Sequence, residues 1–214
     1  MKVIKNKTPF PHVIIDDFYT DDELHHIWKE LDFLSYKHKL LLPEHSGSAF
    51  DKSGKPLKQN YAHELDGIYH DRSKSNILSY NRKLFDLELA KEIIDCDFSF
   101  RTWDNVNVDG TILSYYENGG HYKSHADGSF YTCLTWLYQE PKAFDGGNMY
   151  FEEYDYHLEI CNNRAVLFHS PVKHQVTEVI MDSNYDVDSM NHFSCNGRYT
   201  LTQFCAFSFD NVVS

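Results

Sequence analysis

A chain of 214 residues, 42% of them hydrophobic, is long enough to bury one substantial core and short for two independent domains. Its 32 acidic and 20 basic side chains give a net charge of −12, which works against the broad phosphate-neutralising surface of a nucleic-acid-binding protein. We therefore predict one domain over residues 1–214 and no nucleic-acid partner.

The N-terminal sequence contains no apolar stretch long enough for a signal peptide, and no segment approaches the apolar length of a membrane-spanning helix. The five cysteines are odd in number and scattered, without a Cys-x-x-Cys pair, which favours reduced thiols over a disulfide framework or a zinc site. We therefore expect a soluble, cytoplasmic protein with no membrane partner, whose cysteines are packing residues.

The first half of the chain carries helical patterns. A short apolar strand is expected at 13–15, followed by a helix in which Thr20 is the N-cap and Glu23 its capping-box partner. Residues 42–65 are rich in Gly, Ser, Lys and Pro, which indicates a long surface loop or a flap that covers a site. An apolar face at helical spacing predicts a second helical segment over about 75–95.

The second half carries strand patterns. Short segments rich in β-branched and aromatic residues alternate with turn signals such as Asn-Gly-Gly at 118–120 and Asp-Gly-Gly at 145–147. The segments are TILSYY, FYTCLTWLY, NMYFEE, HLEI, RAVLFH, HQVTEV and RYTLTQFCAFSF. Strands of this kind pack as a sandwich or barrel, and the jelly roll is a common form.

These patterns predict a mainly β protein with N-terminal helices, an α+β chain. The helical support spans about 1–98 and the β core spans about 99–210. Residues 181–196 interrupt the strand pattern and indicate an insertion loop.

A His-x-Asp triplet is the first candidate for a metal site. His125 and Asp127 are two residues apart, so their side chains can share one face of a strand, although the triplet alone is weak evidence. His174 stands just before alternating apolar residues and can supply a third ligand from a later strand. Two histidines and one carboxylate form the facial triad of non-haem Fe(II) oxygenases. His121 and His169 are rival ligands, which we interpret as neighbours of the site.

Arg198 opens a strand whose alternation places Arg198, Thr200, Thr202 and Phe204 on one face. An arginine buried inside a barrel needs an anionic partner. A dicarboxylate that chelates the metal at one end would present its other carboxylate to Arg198, and Thr200 could donate a further hydrogen bond. The alternative is the common one, in which the arginine pairs with a surface carboxylate.

The ordered motifs resemble those of the 2-oxoglutarate and Fe(II)-dependent dioxygenases, and among these the prolyl-hydroxylase branch. The matching residues are Tyr116-x-x-Gly119-Gly120-x-Tyr122-x-x-His125-x-Asp127, Thr132, Asp145-Gly146-Gly147, His174-x-Val176 and Arg198. The resemblance is close over 112–209, and the N-terminal sequence PFPHVIIDDFYTDDEL is also typical of the branch.

The resemblance implies a double-stranded β-helix, the cupin-like form of the jelly roll. It further implies that His125, Asp127 and His174 bind Fe(II), that Arg198 binds the distal carboxylate of 2-oxoglutarate, and that Tyr116 borders this co-substrate. Ascorbate is an expected reductant.

The activity implied is hydroxylation of a C–H bond with release of succinate and CO2. A prolyl residue in a peptide or protein is the leading substrate, and a free amino acid or another small molecule is the alternative. Two features depart from the family. Trp136 stands where many prolyl hydroxylases have a tyrosine that also bonds the distal carboxylate, and the 24 residues from His174 to Arg198 are a longer interval than usual.

Three other functions were weighed against this activity. A halogenating relative would lack the carboxylate ligand, whereas Asp127 is present. A nucleic-acid demethylase would usually have a second arginine six residues after the first, where this chain has Phe204. A non-catalytic jelly-roll module that binds a metal remains open from the sequence.

Overall fold

The computed structural model describes residues 1–35, 40–181 and 196–208. The insertion predicted at 181–196 lies outside these residues except for its two ends, and Cys195 lies outside them as well. In the described ranges, Cys96, Cys133, Cys161 and Cys205 are free thiols. No helix within those ranges is both long and apolar enough to cross a membrane.

The strands form two main antiparallel sheets and a small ribbon. In chain order they are β1 (Lys2–Asn6), β2 (His12–Asp16), β3 (Lys58–Gln59), β4 (Tyr61–Glu64), β5 (Val108–Tyr116), β6 (His121–His125), β7 (Tyr131–Leu137), β8 (Phe144–Gly146), β9 (Met149–Phe151), β10 (Tyr156–Leu158), β11 (Arg164–His169), β12 (His174–Val176), β13 (Val179–Met181) and β14 (Arg198–Ala206). The major sheet has the order β1-β2-β11-β7-β14-β5-β4, the minor sheet has the order β10-β9-β12-β6-β3, and β13 pairs with β8.

The helices precede the β core. They are α1 (Asp21–Leu34), α2 (Leu65–Ile68), α3 (Asn76–Tyr80) and α4 (Leu87–Ile94), with 3-10 turns at Pro43–His45, Arg72–Lys74, Asn81–Phe85, Phe98–Asn105 and Glu152–Tyr154. The capping box at the start of α1 is confirmed, because Glu23 N donates to Thr20 Oγ1 and Thr20 N donates to a Glu23 carboxylate oxygen.

The major sheet separates two apolar cores. On one face the helices contribute Ile27 and Leu31, which pack with Leu113 and Leu201 of the sheet. On the other face the minor sheet packs against the major one, and the Phe151 ring meets the Phe168 ring edge to face at a centroid distance of 5.3 Å. Alternation along each strand sends successive side chains into opposite cores. The prediction of a mainly β fold with N-terminal helices is therefore confirmed.

Three predictions about the N-terminal part need correction. The segment 42–65 is not one loop, because β3 pairs with β6 and β4 pairs with β5. The helix expected over about 75–95 is broken at Asp86, whose backbone is extended (φ −62°, ψ 136°) between a 3-10 turn and α4. The support spanning about 1–98 is only partly helical, since β1 and β2 extend the major sheet.

Candidate metal centre

A cavity with an empty volume of about 550 Å³ lies between the major and minor sheets. Every residue that the sequence proposed for the site lines this cavity, namely Tyr116, His125, Asp127, His174, Arg198 and Thr200. Trp136 is fully buried beside it, opposite Thr200 in the sheet register, and its indole Nε1 has no hydrogen-bond partner within the described ranges.

The three candidate metal ligands converge through strand pairing. His125 ends β6, His174 begins β12, and the two residues are direct partners in the antiparallel ladder. Asp127 follows two residues after His125, and its carboxylate oxygens lie 3.7 Å from His125 Nε2 and 3.5 Å from His174 Nε2. One ligand atom from each residue falls within 4.8 Å of the others, so the group has the spacing to hold one metal ion.

Both imidazoles are oriented with Nε2 towards the shared point. His125 Nδ1 donates to the Lys123 carbonyl oxygen at 2.8 Å, and His174 Nδ1 donates to the Val172 carbonyl oxygen at 2.9 Å. Because a carbonyl can only accept, each ring carries its proton on Nδ1 and leaves the Nε2 lone pair free for a metal. Burial, followed by the neighbouring His174, lowers the pKa of His125 to about 4, so this ring is neutral at physiological pH.

Among the residues that the structure describes, Arg198 is a buried cation without an anionic partner. Its side chain is fully buried, and none of its three guanidinium nitrogens has a hydrogen-bond acceptor within the described ranges. The guanidinium lies 4.8 Å from the centre of the Tyr116 ring, and burial lowers the pKa of Arg198 to about 10, which Tyr116 only partly opposes. The Thr200 hydroxyl is also buried and without a partner in the described chain.

These unpaired donors fit a carboxylate. A buried guanidinium and a hydroxyl on one strand face can donate several hydrogen bonds to a single anionic group. The alternative that Arg198 pairs with a surface carboxylate is not observed among the described residues. The cavity therefore combines a three-ligand metal site with a separate cationic end, which is the donor set that a metal and a dicarboxylate require.

Comparison with known proteins shows a family similarity over the β core. Residues 111–204 match the sequence model described as the 2OG-Fe(II) oxygenase superfamily. Over these residues the chain is similar to this superfamily. No curated protein sequence matches the chain. The resemblance inferred from the motifs and the expectation of an enzyme are thereby confirmed, and the similarity implies Fe(II) and 2-oxoglutarate.

Several solved structures with a similar fold are prolyl hydroxylases. A prolyl-4-hydroxylase from Pseudomonas putida is 16% identical, with a TM-score of 0.58 and 92% of each chain covered. A prolyl hydroxylase from Trichoplax adhaerens, in complex with a peptide fragment of the hypoxia inducible factor oxygen degradation domain, is 13% identical, with a TM-score of 0.58 over 95% of this chain and 86% of that one.

The viral collagen prolyl hydroxylase of Paramecium Bursaria Chlorella virus-1, in its 2OG complex, is 10% identical, with a TM-score of 0.57 over 92% of this chain and 96% of that one. At these identities the similarity shows the fold, which is the double-stranded β-helix that the sequence predicted.

In the oxygenase, Asp127 is held by a chain of hydroxyls. Thr132 Oγ1 donates to Asp127 Oδ2 at 2.7 Å and lies 2.8 Å from Ser170 Oγ, which in turn lies 2.7 Å from Ser129 Oγ. Asp127 N donates to the Ser170 carbonyl oxygen at 3.0 Å. The sequence motif included Thr132, but no spacing signal identified Ser129 or Ser170.

The two glycines of the Asp-Gly-Gly motif make room for the cationic end of the oxygenase cavity. Both have positive φ, +68° at Gly146 and +67° at Gly147. A Cβ on Gly146 would lie 2.0 Å from the Glu178 carbonyl oxygen across the β8–β13 ribbon, and one on Gly147 would lie 3.0 Å from Cδ of Arg198. Only glycine adopts this backbone at this distance from its neighbours without strain.

The two rival histidines lie outside the ligand cluster of the oxygenase. His121 Nδ1 donates to the Gly119 carbonyl oxygen at 3.0 Å. The His169 ring stacks on Phe100 at a centroid distance of 4.8 Å and packs near Tyr131 at 4.9 Å. Neither residue joins the three side chains whose ligand atoms converge.

Lys58 is a cavity residue of the oxygenase whose place the sequence reasoning missed, and it lies opposite Tyr122 in the sheet register. The Tyr122 ring stacks on His125 at a centroid distance of 3.6 Å, and the Tyr122 hydroxyl accepts a hydrogen bond from Ala49 N at 2.9 Å. Lys58 lies within a segment whose polar composition predicted a surface loop or a flap. Only the pairing of β3 with β6 brings this residue to the wall of the cavity.

Proposed function

We propose that the protein hydroxylates a C–H bond of a prolyl residue in a peptide or protein, using Fe(II), 2-oxoglutarate and oxygen. The observation that carries this proposal is the buried, unpaired Arg198 in the same cavity as the converging His125, Asp127 and His174 side chains. When bound, Fe(II) and 2-oxoglutarate supply the oxidising chemistry, with release of succinate and CO2.

The residues of the chain bind and orient these groups. His125 Nε2, His174 Nε2 and a carboxylate oxygen of Asp127 would hold the metal, since their ligand atoms converge. Arg198 and Thr200, which line the cavity with Tyr116, would donate to the distal carboxylate of 2-oxoglutarate, and Tyr116 would border it.

The wall of the cavity keeps water away from the metal. Leu134 of the major sheet and Met149 and Val176 of the minor sheet supply its apolar part. A dry surrounding strengthens the electrostatic contacts that orient the co-substrate and protects the oxidising chemistry from side reactions.

The substrate reaches the metal from an adjoining open groove. This groove has an empty volume of about 890 Å³ and shares Tyr122, His125 and Asp127 with the cavity. Small-molecule pockets usually enclose most of the surface of their ligand. An open groove beside the metal ligands therefore favours a peptide that extends past the cavity over a free amino acid.

Two neighbours of similar fold support the choice of a prolyl residue. One is a prolyl hydroxylase in complex with a peptide, and another is a collagen prolyl hydroxylase. A non-catalytic module that only binds a metal would have no use for Arg198, whose burial without a partner is unfavourable unless an anion occupies the cavity.

The test is a substrate screen with matched peptides. Purified protein is supplied with Fe(II), ascorbate and 2-oxoglutarate in air, and proline-containing peptides are compared with the same peptides carrying alanine and with free amino acids. We expect succinate and a mass gain of one oxygen only on proline-containing peptides. The Asp127→Asn variant should lose both products, whereas Asp104→Asn, which alters an exposed carboxylate, should keep them. Oxygen added to free amino acids but to no peptide would contradict the proposal.

A further inference from the structure

Lys58 is a buried cation inside the cavity, and the proposed function leaves it without a role. It lies on β3 opposite Tyr122 of β6, is 5% exposed, and lines the same cavity as the candidate metal ligands and Arg198. Lysine is among the residues least often buried, because removing an ammonium group from water is unfavourable unless it is paired. The position of Lys58 therefore calls for an anionic partner.

The contacts of Lys58 use only part of the hydrogen-bond donors of its ammonium group within the described ranges. Its Nζ donates to the Ser46 carbonyl oxygen at 2.7 Å and lies 5.8 Å from the centre of the Tyr122 ring. An ammonium group has three N–H donors, and within the described ranges Lys58 forms no ion pair with a carboxylate. Burial lowers the pKa of Lys58 to about 8, opposed in part by Glu64, so the side chain is still mostly charged at neutral pH.

When Fe(II) and 2-oxoglutarate are bound, the charges in the cavity balance without Lys58. Fe(II) and the Arg198 guanidinium are positive, and their charge is matched by the Asp127 carboxylate together with the two carboxylates of 2-oxoglutarate. Lys58 then adds one positive charge that neither the metal site nor the co-substrate neutralises. Glu64 only partly offsets the effect of burial on Lys58, and the substrate is the further source of negative charge that can reach it.

We infer that Lys58 binds a carboxylate of the substrate, so that the enzyme selects prolyl substrates with a negative charge next to the hydroxylated residue. This inference rests on the proposed function and narrows its substrate class. The carboxylate can belong to an acidic side chain adjacent to proline or to a C-terminal proline, since both present the same chemical group.

The route from the groove to Lys58 is short. The cavity and the groove share a common wall that includes Gly47, Ile112, Tyr122 and Phe204. The segment that covers this wall is tied to the site at two points, because Ser46 accepts from Lys58 Nζ and Ala49 N donates to the Tyr122 hydroxyl. A substrate carboxylate that passes beneath the segment would therefore meet Lys58 within reach of the metal ligands.

The experiment uses pairs of substrates that differ only in charge. The pairs are peptides with Asp or Asn on either side of one proline, and peptides ending in proline with a free or amidated carboxyl end. Binding of each member to the metal-loaded protein with 2-oxoglutarate, in the absence of oxygen, is measured by calorimetry, and kcat/KM is then measured in air.

We expect at least one pair in which the charged member binds about tenfold more tightly, a difference that corresponds to about 1.4 kcal/mol. The Lys58→Met variant should reduce that ratio to near one, Lys58→Arg should keep part of it, and the exposed Lys52→Met should leave it unchanged. The pair that shows the preference identifies which source of carboxylate the enzyme uses. Thermal melts of each variant verify that it is folded.

Two results would overturn the inference. One is equal binding of charged and neutral members in every pair by the wild-type protein, and the other is a preference that persists in Lys58→Met. A loss of 2-oxoglutarate affinity in Lys58→Met as large as that in Arg198→Ala would also overturn it, because Lys58 would then serve the co-substrate. If charged members bind better through Lys58 but no proline gains oxygen, the proposed function fails and the carboxylate site stands.

Discussion

The Oγ1 hydroxyl of Thr132 donates a 2.7 Å hydrogen bond to Oδ2 of Asp127, and thereby fixes the rotation of the only candidate metal ligand that carries a charge. Outer partners of this kind commonly change metal affinity by about 10- to 100-fold when removed. We predict that Thr132→Val weakens Fe(II) binding by about that factor without unfolding the protein, as measured by calorimetry without oxygen.

The control for this variant is Thr135→Val, which makes the same isosteric change on the same strand. Thr135 lies at an odd-numbered position of β7, facing the helical core rather than the cavity. Equal Fe(II) affinity in the Thr132 variant and the wild type would show that the hydrogen bond does not orient the ligand.

Removal of either candidate histidine ligand should abolish Fe(II) binding and turnover. His125→Ala and His174→Ala each delete one of three converging ligand atoms, whereas His121→Ala deletes a nearby imidazole outside the cluster. The wild type and the His121 variant should gain thermal stability as Fe(II) is added, because the ion binds the folded state. The two ligand variants should show no such gain, and near-normal iron content in either would refute the assignment.

Arg198→Ala should weaken 2-oxoglutarate binding while leaving Fe(II) affinity almost unchanged. Loss of a buried, charge-assisted contact costs on the order of 2–5 kcal/mol, which corresponds to a fall of roughly thirty-fold or more. Arg198→Lys should recover only part of the affinity, since an ammonium group lacks the planar fork of the guanidinium. Arg101→Ala, which removes an exposed arginine, is the matched control. Normal co-substrate affinity in Arg198→Ala would mean that another cation holds the distal carboxylate.

Gly147→Ala should displace Arg198 without touching any metal ligand. The new Cβ would lie 3.0 Å from Arg198 Cδ and 3.1 Å from Val179 Cγ2, on a backbone with φ of +67°. We predict a loss of about 1–2 kcal/mol in the free energy of unfolding, from the strained backbone, together with weaker 2-oxoglutarate binding. Denaturant unfolding and calorimetry measure the two effects, and unchanged co-substrate affinity would show that Arg198 adapts to the added methyl group.

Glu30→Ala should destabilise the helical part of the protein and leave ligand affinities unchanged. The buried Glu30 carboxylate accepts from Ser75 Oγ at 2.6 Å and from Ile77 N at 3.0 Å, and so joins α1 to the start of α3. Losing these charged hydrogen bonds should cost about 2–3 kcal/mol in denaturant unfolding. The exposed Glu92→Ala is the control, and a stability loss no larger than the control's would show that the carboxylate contributes little.

Several features of this oxygenase could be predicted from the spacing of residues a few positions apart in the sequence. The capping box joins Thr20 to Glu23 within one helical turn, and the alternation that begins at Arg198 places Thr200 on the same strand face. Such relations depend on the geometry of a helix or strand over a few residues, so a pattern in the sequence is sufficient to specify them. The order of the motifs identified the family for the same reason, because each motif is itself short.

Only the tertiary structure decided which distant residues meet and which polar groups are left without partners. The pairing of β12 with β6 places His174 opposite His125, and the pairing of β3 with β6 carries Lys58 from an apparent surface loop into the cavity. The unpaired state of Arg198 likewise depends on everything packed around it. Strand pairing and burial arise from contacts between segments far apart in the chain, and composition within one segment does not determine them.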